Sequence, residues 1–483
     1  MRNKEQKIKE IHNQLSQIIN DLENQSKAST ALHKVEGSLF HQLLQLGRSL
    51  LLLYIFFVKK GIEHTKPSGY VNKGHRHRVY RSVFGCITIE RKKYWSKGQK
   101  VYYPLDKHLS LGSSRYSYLL SDWLADGSVE MDFHHSSGLL GRMLNQDLSA
   151  MQASRRTYAL SAQVEAYYQQ NRDQEQDEEY KADYTHISLG YDGKGIPIRR
   201  SQTHRQAEST VTRLAKGKKK EVKKEATLCL SSCFTAKTRT TDQIIGALFN
   251  SLSDEHKAPT HKWHEQKHLR AFLSNKPRAI EYGVDHALNR DQSEKPMIIL
   301  IDGAPSLENT IKQEVQKQGI ASRVDAYILD FIHLLEYVWK VANAHLGENS
   351  PNREAWVRQQ ARQLLESKTE QVIEGWQQIL DQGQWSNYKR TLLERSIKYL
   401  KNRPHMVDYK SYLSKGYPIT TGAVESACGH FIKSRMERNA MHWSFDGAQK
   451  MLDIRAVKKN SDWSDYIQFF IQHEQQEIYG TAA

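Results

Sequence analysis

The stretch "KPMIILIDGAPSLENTIKQEVQKQ", residues 295–318, decides what kind of fold this chain has. Its run Met297–Ile301 is wholly apolar, the pattern of a strand covered on both faces, and it ends at Asp302. A helical pattern, "SLENTIKQEVQKQ", follows at once. "VDAYILD" (324–330) repeats the arrangement, a strand ending at Asp330 that runs straight into "FIHLLEYVWKVANAHLG". Upstream, "YTHISLGYD" (184–192) reads as a strand ending in Asp192, with "KGIPIRR" as a second and "KEATLCLSSCF" as a third. "TTDQIIGALFNSL" reads as a helix with Thr241 as its cap. Residues from about 340 to 412 are helical throughout, with Trp339, Trp356, Trp376 and Trp385 as expected core anchors. After "YPITTG" (417–422) comes a closing helix. The order β-β-β-α-β-α-β, a helical insertion and a last helix implies an α/β fold, a mixed sheet with helices on its faces.

At 483 residues the chain is too long for one ordinary core, and two to four domains are expected. With 39% hydrophobic and 26% charged residues it has the balance of a globular protein. A formal net charge of +16 calls for a polyanionic partner, and nucleic acid is the usual one. The longest apolar run, "LLLLYIFFV" (50–58), is about half of the ~20 residues a membrane span needs. It is expected to be a core helix, and no membrane partner is expected. The opening "MRNKEQKIKE" has no apolar leader core. Cys86, Cys229, Cys233 and Cys428 form no C-x-x-C pair, so no zinc site is evident and a reducing, cytoplasmic compartment beside the nucleoid is expected.

The N-terminal part is mostly helical. Ile8, Ile11, Leu15, Ile18 and Leu22 follow one another at steps of 3 and 4, which suits either a short coiled coil or a helix lying on its own domain. A second helix runs from about Leu32 to Val58. "HRHRVYRSVFGCITIERKKYW" (75–95) alternates apolar and basic residues around Gly85, the pattern of a basic β-hairpin. Residues 134–168 can be cut into helix, turn, helix, the second starting at Ala153 or Ser154 and carrying Arg155 and Arg156 in its first turns. That is the placement a helix-turn-helix uses to reach DNA, though many helical hairpins share it. "QQNRDQEQDEEYKAD" (169–183) is polar, without apolar period, and reads as the main linker.

Asp192, Asp302 and Asp330 thus finish strands, and the carboxyl ends of strands line the crevice of an α/β sheet. Adjacent strands lie ~4.8 Å apart, so Asp192 and Asp302 can share a hard cation, with Glu425 added by the closing helix. Mg²⁺, or Mn²⁺ in its place, prefers such oxygen ligands and suits phosphoryl transfer. Each residue also has a local reading. Asp192-Gly193 is a hairpin-turn dipeptide, Asp302 a helix cap, Asp330 with His333 a pair at a helix start, and Glu425 a first-turn acid favoured by the helix dipole. Lys218, Lys219 and Lys220 form a loop that is either solvated or set against phosphate. Lys433, Arg435, Arg438, His442 and Trp443 follow Glu425 and suit backbone contacts plus stacking on nucleic acid.

Five motifs carry a resemblance: "YDGKGIPIRR", "GKKKEVKKEATLCLSSCFTAKTRTTDQII", "LIDGAP", "ILDFIHLLEYVWKVANAHLG" and "MVDYKSYLSKGYPITTGAVESACGHFIKSRMERNAMHWSFDGAQKMLDIRAV". In order and spacing they resemble transposases of the ISKra-type insertion-sequence family, over roughly residues 185–480. The resemblance implies a ribonuclease H-like catalytic domain with an Asp-Asp-Glu triad, carried over to Asp192, Asp302 and Glu425. It implies a supporting role for Asp330 and His333, Mg²⁺-dependent hydrolysis at the element's ends, and attack of the freed 3′-hydroxyl on target DNA. The partners implied are double-stranded DNA, as terminal inverted repeats and as target, and further copies of the chain in a homodimer or higher oligomer. Two departures stand out. No cysteine-bearing stretch appears in "ERKKYWSKGQKVYYPLD", and His430 follows Gly429 where the family's usual arginine is absent.

The expected divisions are a coiled-coil-like helix (1–30), a helical region with the basic hairpin (31–110), and a helix-turn-helix-like DNA-binding region (111–175). The catalytic core follows (185–338), then the helical insertion (339–415), the closing helix with Glu425 (416–458) and a tail (459–483). Two other readings share these residues: a metal-dependent nuclease without strand transfer, and a domesticated DNA-binding protein without catalysis.

Overall fold

A computed structural model describes residues 2–62, 68–174, 181, 183–199, 222–249, 264–291, 293–438 and 441–480. The chain divides into two compact units, Met1–Tyr167 with Ser461–Ala483, and Tyr168–Asn460.

In the first unit, α1 (Arg2–Lys27) and α2 (Leu32–Ile62) form a helical hairpin. Near its closed end Gln42 Nε2 donates to Asp21 Oδ2 at 2.7 Å, and toward the open end Lys4 Nζ lies 5.7 Å from the centre of the Phe57 ring. Ile18 of the α1 seam is buried. Ile8, Ile11 and Leu22 are half-buried and Leu15 is exposed, so the seam packs only in part within the chain. The strands β1 (Val71–Ser82) and β2 (Gly85–Trp95) pair antiparallel around a two-residue loop, with Gly85 at φ +112°, a conformation few other residues adopt. Ile87 and Ile89 meet Leu51, Ile55, Val58 and Ile62 of α2. Beyond that contact, α2 is no core helix, because none of its residues is buried. Residues expected as a tail form the helix Trp463–Tyr479, tied to this unit by Glu474 Oε1, which accepts from Ser113 Oγ at 2.6 Å.

The second unit is a mixed α/β structure around a five-stranded sheet, ordered β5 (Glu265–Leu273), β4 (Val222–Phe234), β3 (His186–Ile198), β6 (Met297–Ile301), β7 (Val324–Leu329). The pairs β3–β4 and β4–β5 are antiparallel, while β3–β6 and β6–β7 are parallel. Two expected strands, "YTHISLGYD" and "KGIPIRR", are one. The strand β3 passes straight through Asp192 and Gly193, which face Leu228 and Thr227 across the ladder, so this dipeptide is not a hairpin turn. The strand β5 and the helix Lys276–Asn289 were not expected. Helices Phe331–Leu346, Arg353–Leu365, Thr369–Gln382 and Asn387–Lys401 make the insertion. Of the four tryptophans expected as anchors, Trp376 is buried, and its Nε1 donates to Gln360 Oε1 at 3.1 Å; Trp339, Trp356 and Trp385 are half-buried. The helix Thr241–Leu248 is capped one residue earlier than expected, by Thr240 with Gln243 in a reciprocal box.

Trp376→Ala should lower the unfolding free energy of this unit by about 3–5 kcal/mol, measured from the denaturant midpoint. A loss below about 1 kcal/mol would mean that Trp376 does not anchor the insertion.

Candidate active site

The ladders set the aspartates level. Gly190 of β3 pairs with Leu300 of β6, and Ile301 pairs with Leu329 of β7. Two residues on from the first pair, Asp192 stands beside Asp302; one residue on from the second, Asp302 stands beside Asp330. The main chain seals the last step, with Asp330 N donating to Ile301 O at 2.9 Å. Three acids thus form a row across three neighbouring strands. Gly303 lets the chain turn away directly after Asp302. Its φ is +82°, and a Cβ there would fall 2.6 Å from Leu329 Cδ1.

Glu425 reaches the row on a short helix, Gly422–Ala427. Val424 of that helix sits over Gly190, where a Cβ would come within 3.3 Å of Val424 Cβ. The glycine in β3 lets the helix lie close to the sheet. A π-helical turn, Cys428–Lys433, comes next. Such turns loosen the helical hydrogen-bond pattern, and buried Arg455 meets the carbonyls, donating from Nε to Phe431 O and from Nη2 to His430 O, both at 2.7 Å. The same turn starts at Cys428, whose thiol hydrogen-bonds Asp192.

The electrostatics follow from this crowding. Burial pushes the Asp192 carboxyl up, and the charge of Asp302 adds to it; hydrogen bonds from Cys428 and from Gly193 N, at 2.7 Å, offset part. Glu425 is exposed along its length, yet burial of its carboxyl end and the charges of Asp330 and Asp192 push it up as well. His333, half-buried against Tyr399, pulls it down slightly. Burial and the neighbouring Asp192 raise the Cys428 thiol, so it stays protonated as a donor.

Asp330 has a different task. It is buried, and all its acceptor capacity is used. Its Oδ1 accepts from Ile332 N at 2.6 Å and His333 N at 3.2 Å, capping the helix Phe331–Leu346. Its Oδ2 accepts from Thr421 N at 3.0 Å and from the Thr421 hydroxyl. Thr421 Oγ1 also lies 3.2 Å from Glu425 Oε1, and its single proton can serve only one carboxylate at a time. Asp330 is therefore a fastener for the chain leading into Glu425. Thr421 and Cys428 were missed from the sequence, although both stand within four residues of Glu425.

Among the described residues, none of Asp192, Asp302, Asp330 and Glu425 forms an ion pair, and no three His, Cys, Asp or Glu side chains stand close enough to hold an ion as they are. As donors, the oxygens of Asp192, Asp302 and Glu425 fit a hard divalent cation, because they are mutually repelling carboxylates without a cationic partner. Asp330, fully hydrogen-bonded, does not fit as a ligand.

The basic residues divide. Lys433, Arg438 and His442 are exposed. Arg435 and Trp443, expected to face nucleic acid, are buried together instead, the guanidinium 4.9 Å from the ring centre. Trp443 Nε1 donates to Met436 O at 2.9 Å, and its backbone N donates to Pro197 O at 3.0 Å, stitching this segment to the end of β3. In the first unit the helix Ala150–Leu160 starts at a capping box of Ser149 and Gln152, several residues before the expected point. Arg155 is exposed there, whereas Arg156 turns inward onto the Tyr116 ring, 5.8 Å from its centre. Lys218, Lys219 and Lys220 lie outside the described residues.

No protein-family model matches the chain. No curated protein matches it either.

Two outcomes follow from the geometry. Thr421→Val removes one of the two Thr421 donors to Asp330 and should cost about 1–3 kcal/mol of unfolding free energy, while Thr421→Ser should restore it. Equal stability of all three proteins would dismiss the fastener. The second outcome concerns pH. The raised Asp192 carboxyl holds its proton more tightly folded than unfolded, so its penalty is absent at low pH and grows as pH rises through the raised value. In chelator, Asp192→Asn should therefore unfold at higher denaturant than the natural protein at pH 8, the difference shrinking below the carboxylate range. A less stable variant at pH 8 would show that the acids do not repel.

Proposed function

We propose that this chain is a DNA transposase with a ribonuclease H-like catalytic unit, which cuts at the terminal inverted repeats of an insertion sequence and joins the freed ends to target DNA. The observation that carries it is the row of Asp192, Asp302 and Asp330 on three strands in register, with Glu425 delivered over β3 only after a helical insertion. The strand order β5-β4-β3-β6-β7, with the last two parallel to β3, supports the ribonuclease H-like reading.

Asp192, Asp302 and Glu425 are the residues that would hold Mg²⁺ or Mn²⁺, which when bound supplies positive charge to the phosphate and to the attacking and leaving oxygens. Asp330 and Thr421 hold the segment that carries Glu425. Lys433, Arg438 and His442, exposed on the stretch after Glu425, offer contacts to the DNA backbone, and Arg155 offers one from the first unit. The net charge of +16 draws the duplex in without regard to sequence. The nuclease and the domesticated binding protein are the competing readings on the same residues.

Glu425→Gln should leave binding to end-sequence DNA within about threefold, while Mg²⁺-dependent cleavage falls by about 10³-fold, the equivalent of several kcal/mol. Undiminished cleavage would remove Glu425 from the chemistry. Cleavage without joined products would favour the nuclease, and binding without cleavage by the natural protein would favour the domesticated form.

A further inference from the structure

The helix α2 meets three surroundings around its circumference. One side packs on the β-hairpin through Leu51, Ile55 and Val58, and another hydrogen-bonds α1 through Ser38 and Gln42. A third is an exposed apolar stripe of Phe40, Leu43, Leu50, Tyr54 and Phe57, each 42–57% exposed. Their spacing of 3, 7, 4 and 3 is a heptad seam with one position, Gly47, left over. Phe84 from the hairpin loop lies on that glycine, where a Cβ would fall 2.6 Å from its ring, and Phe84 is itself partly exposed. The stripe is therefore continuous over six side chains. No charged residue of α2 interrupts it, and Lys4 of α1 lies over its last ring, Phe57; Arg48 and Lys59 belong to a separate polar arc with His41 and Gln45.

We propose that this stripe is the face on which a second copy of the chain docks, stripe to stripe about a two-fold axis. An apolar stripe of heptad period is complementary to itself, and a two-fold axis makes the same patch serve both partners. Six side chains per copy, about half exposed, give on the order of 1,000 Å² in total, the smallest area a specific interface needs. The seam of α1 is partly used within its own chain, with Ile18 buried and Ile8, Ile11 and Leu22 half-buried. By length and composition α2 could also cross a membrane. Protein covers two of its sides and a polar arc occupies part of the rest, so lipid would have to accept Arg48 and Gln45. The inference stands whether or not the chain is a transposase.

The test is the mass of the full chain, without DNA and at 0.5 M salt, by light scattering after gel filtration from about 1 to 100 µM. The natural protein should have twice the chain mass of 56.0 kDa. Leu50→Glu with Tyr54→Glu should weaken the pair by about 30-fold or more and leave circular dichroism unchanged, while Gln45→Glu on the polar arc should have no effect. The milder Leu50→Gln should weaken it in the same direction, and guards against a doubly charged variant that does not fold. A monomer at every concentration would overturn the proposal, as would a pair insensitive to both stripe variants. Flotation of a monomeric natural protein with anionic vesicles would also overturn it, with lipid as the occupant.

Discussion

The parallel pairing of β3, β6 and β7 is the constraint on which the catalytic reading depends. Side chains alternate along a strand, so a slip of one residue in either ladder would turn an aspartate to the opposite face. The register is held by the apolar runs that flank it. Ile187, Leu189, Ile298, Ile299, Leu300 and Ile328 are all buried, and a slip would exchange the faces on which they pack. Hydrophobic burial thus places three carboxylates side by side, an arrangement that electrostatics alone opposes. The repulsion is tolerated because the core is anchored on both faces, the general way in which active sites hold unfavourable charge.

Much of this was legible in the sequence. Asp302 ends a wholly apolar run and Asp330 a mostly apolar one, and such runs have few structural meanings. Asp192 was found as well, but as the end of a strand or the corner of a hairpin. Asp-Gly has strong turn chemistry, and only the long partner strand β4, pairing from Phe234 to Val222, keeps the chain extended through it. Tertiary pairing overrode local propensity.

The parts that were not legible share one cause, charged residues doing the work of core. The strand β5 contains Lys267, His268 and Arg270, and nothing in that composition signals a strand. In the structure Arg270 is buried, paired with Asp453 at 3.3 Å and stacked near Tyr282 and Phe272. Arg435 deceived in the opposite sense, since a basic residue close after Glu425 looks like a DNA contact until Trp443 is seen beneath it. The converse error is α2, whose apolar run suggested a core helix while its outer stripe meets water. A guanidinium can lie against aromatic rings while buried, so composition does not tell burial for arginine.

Asp330 does more than brace the segment before Glu425. With one oxygen it caps the helix on which the insertion leaves the sheet, and with the other it grips Thr421, where the insertion returns. The backbone closes the same gap, Phe331 N donating to Ile419 O at 2.9 Å. Both ends of residues 331–420 are thereby clasped at a single point, like a purse closed by one stud. What lies inside can lengthen, shorten or diverge without displacing the glutamate, because loop closure costs little more as a loop grows. The insertion is in this sense a detachable cassette, and the sheet with its acids is the socket that receives it.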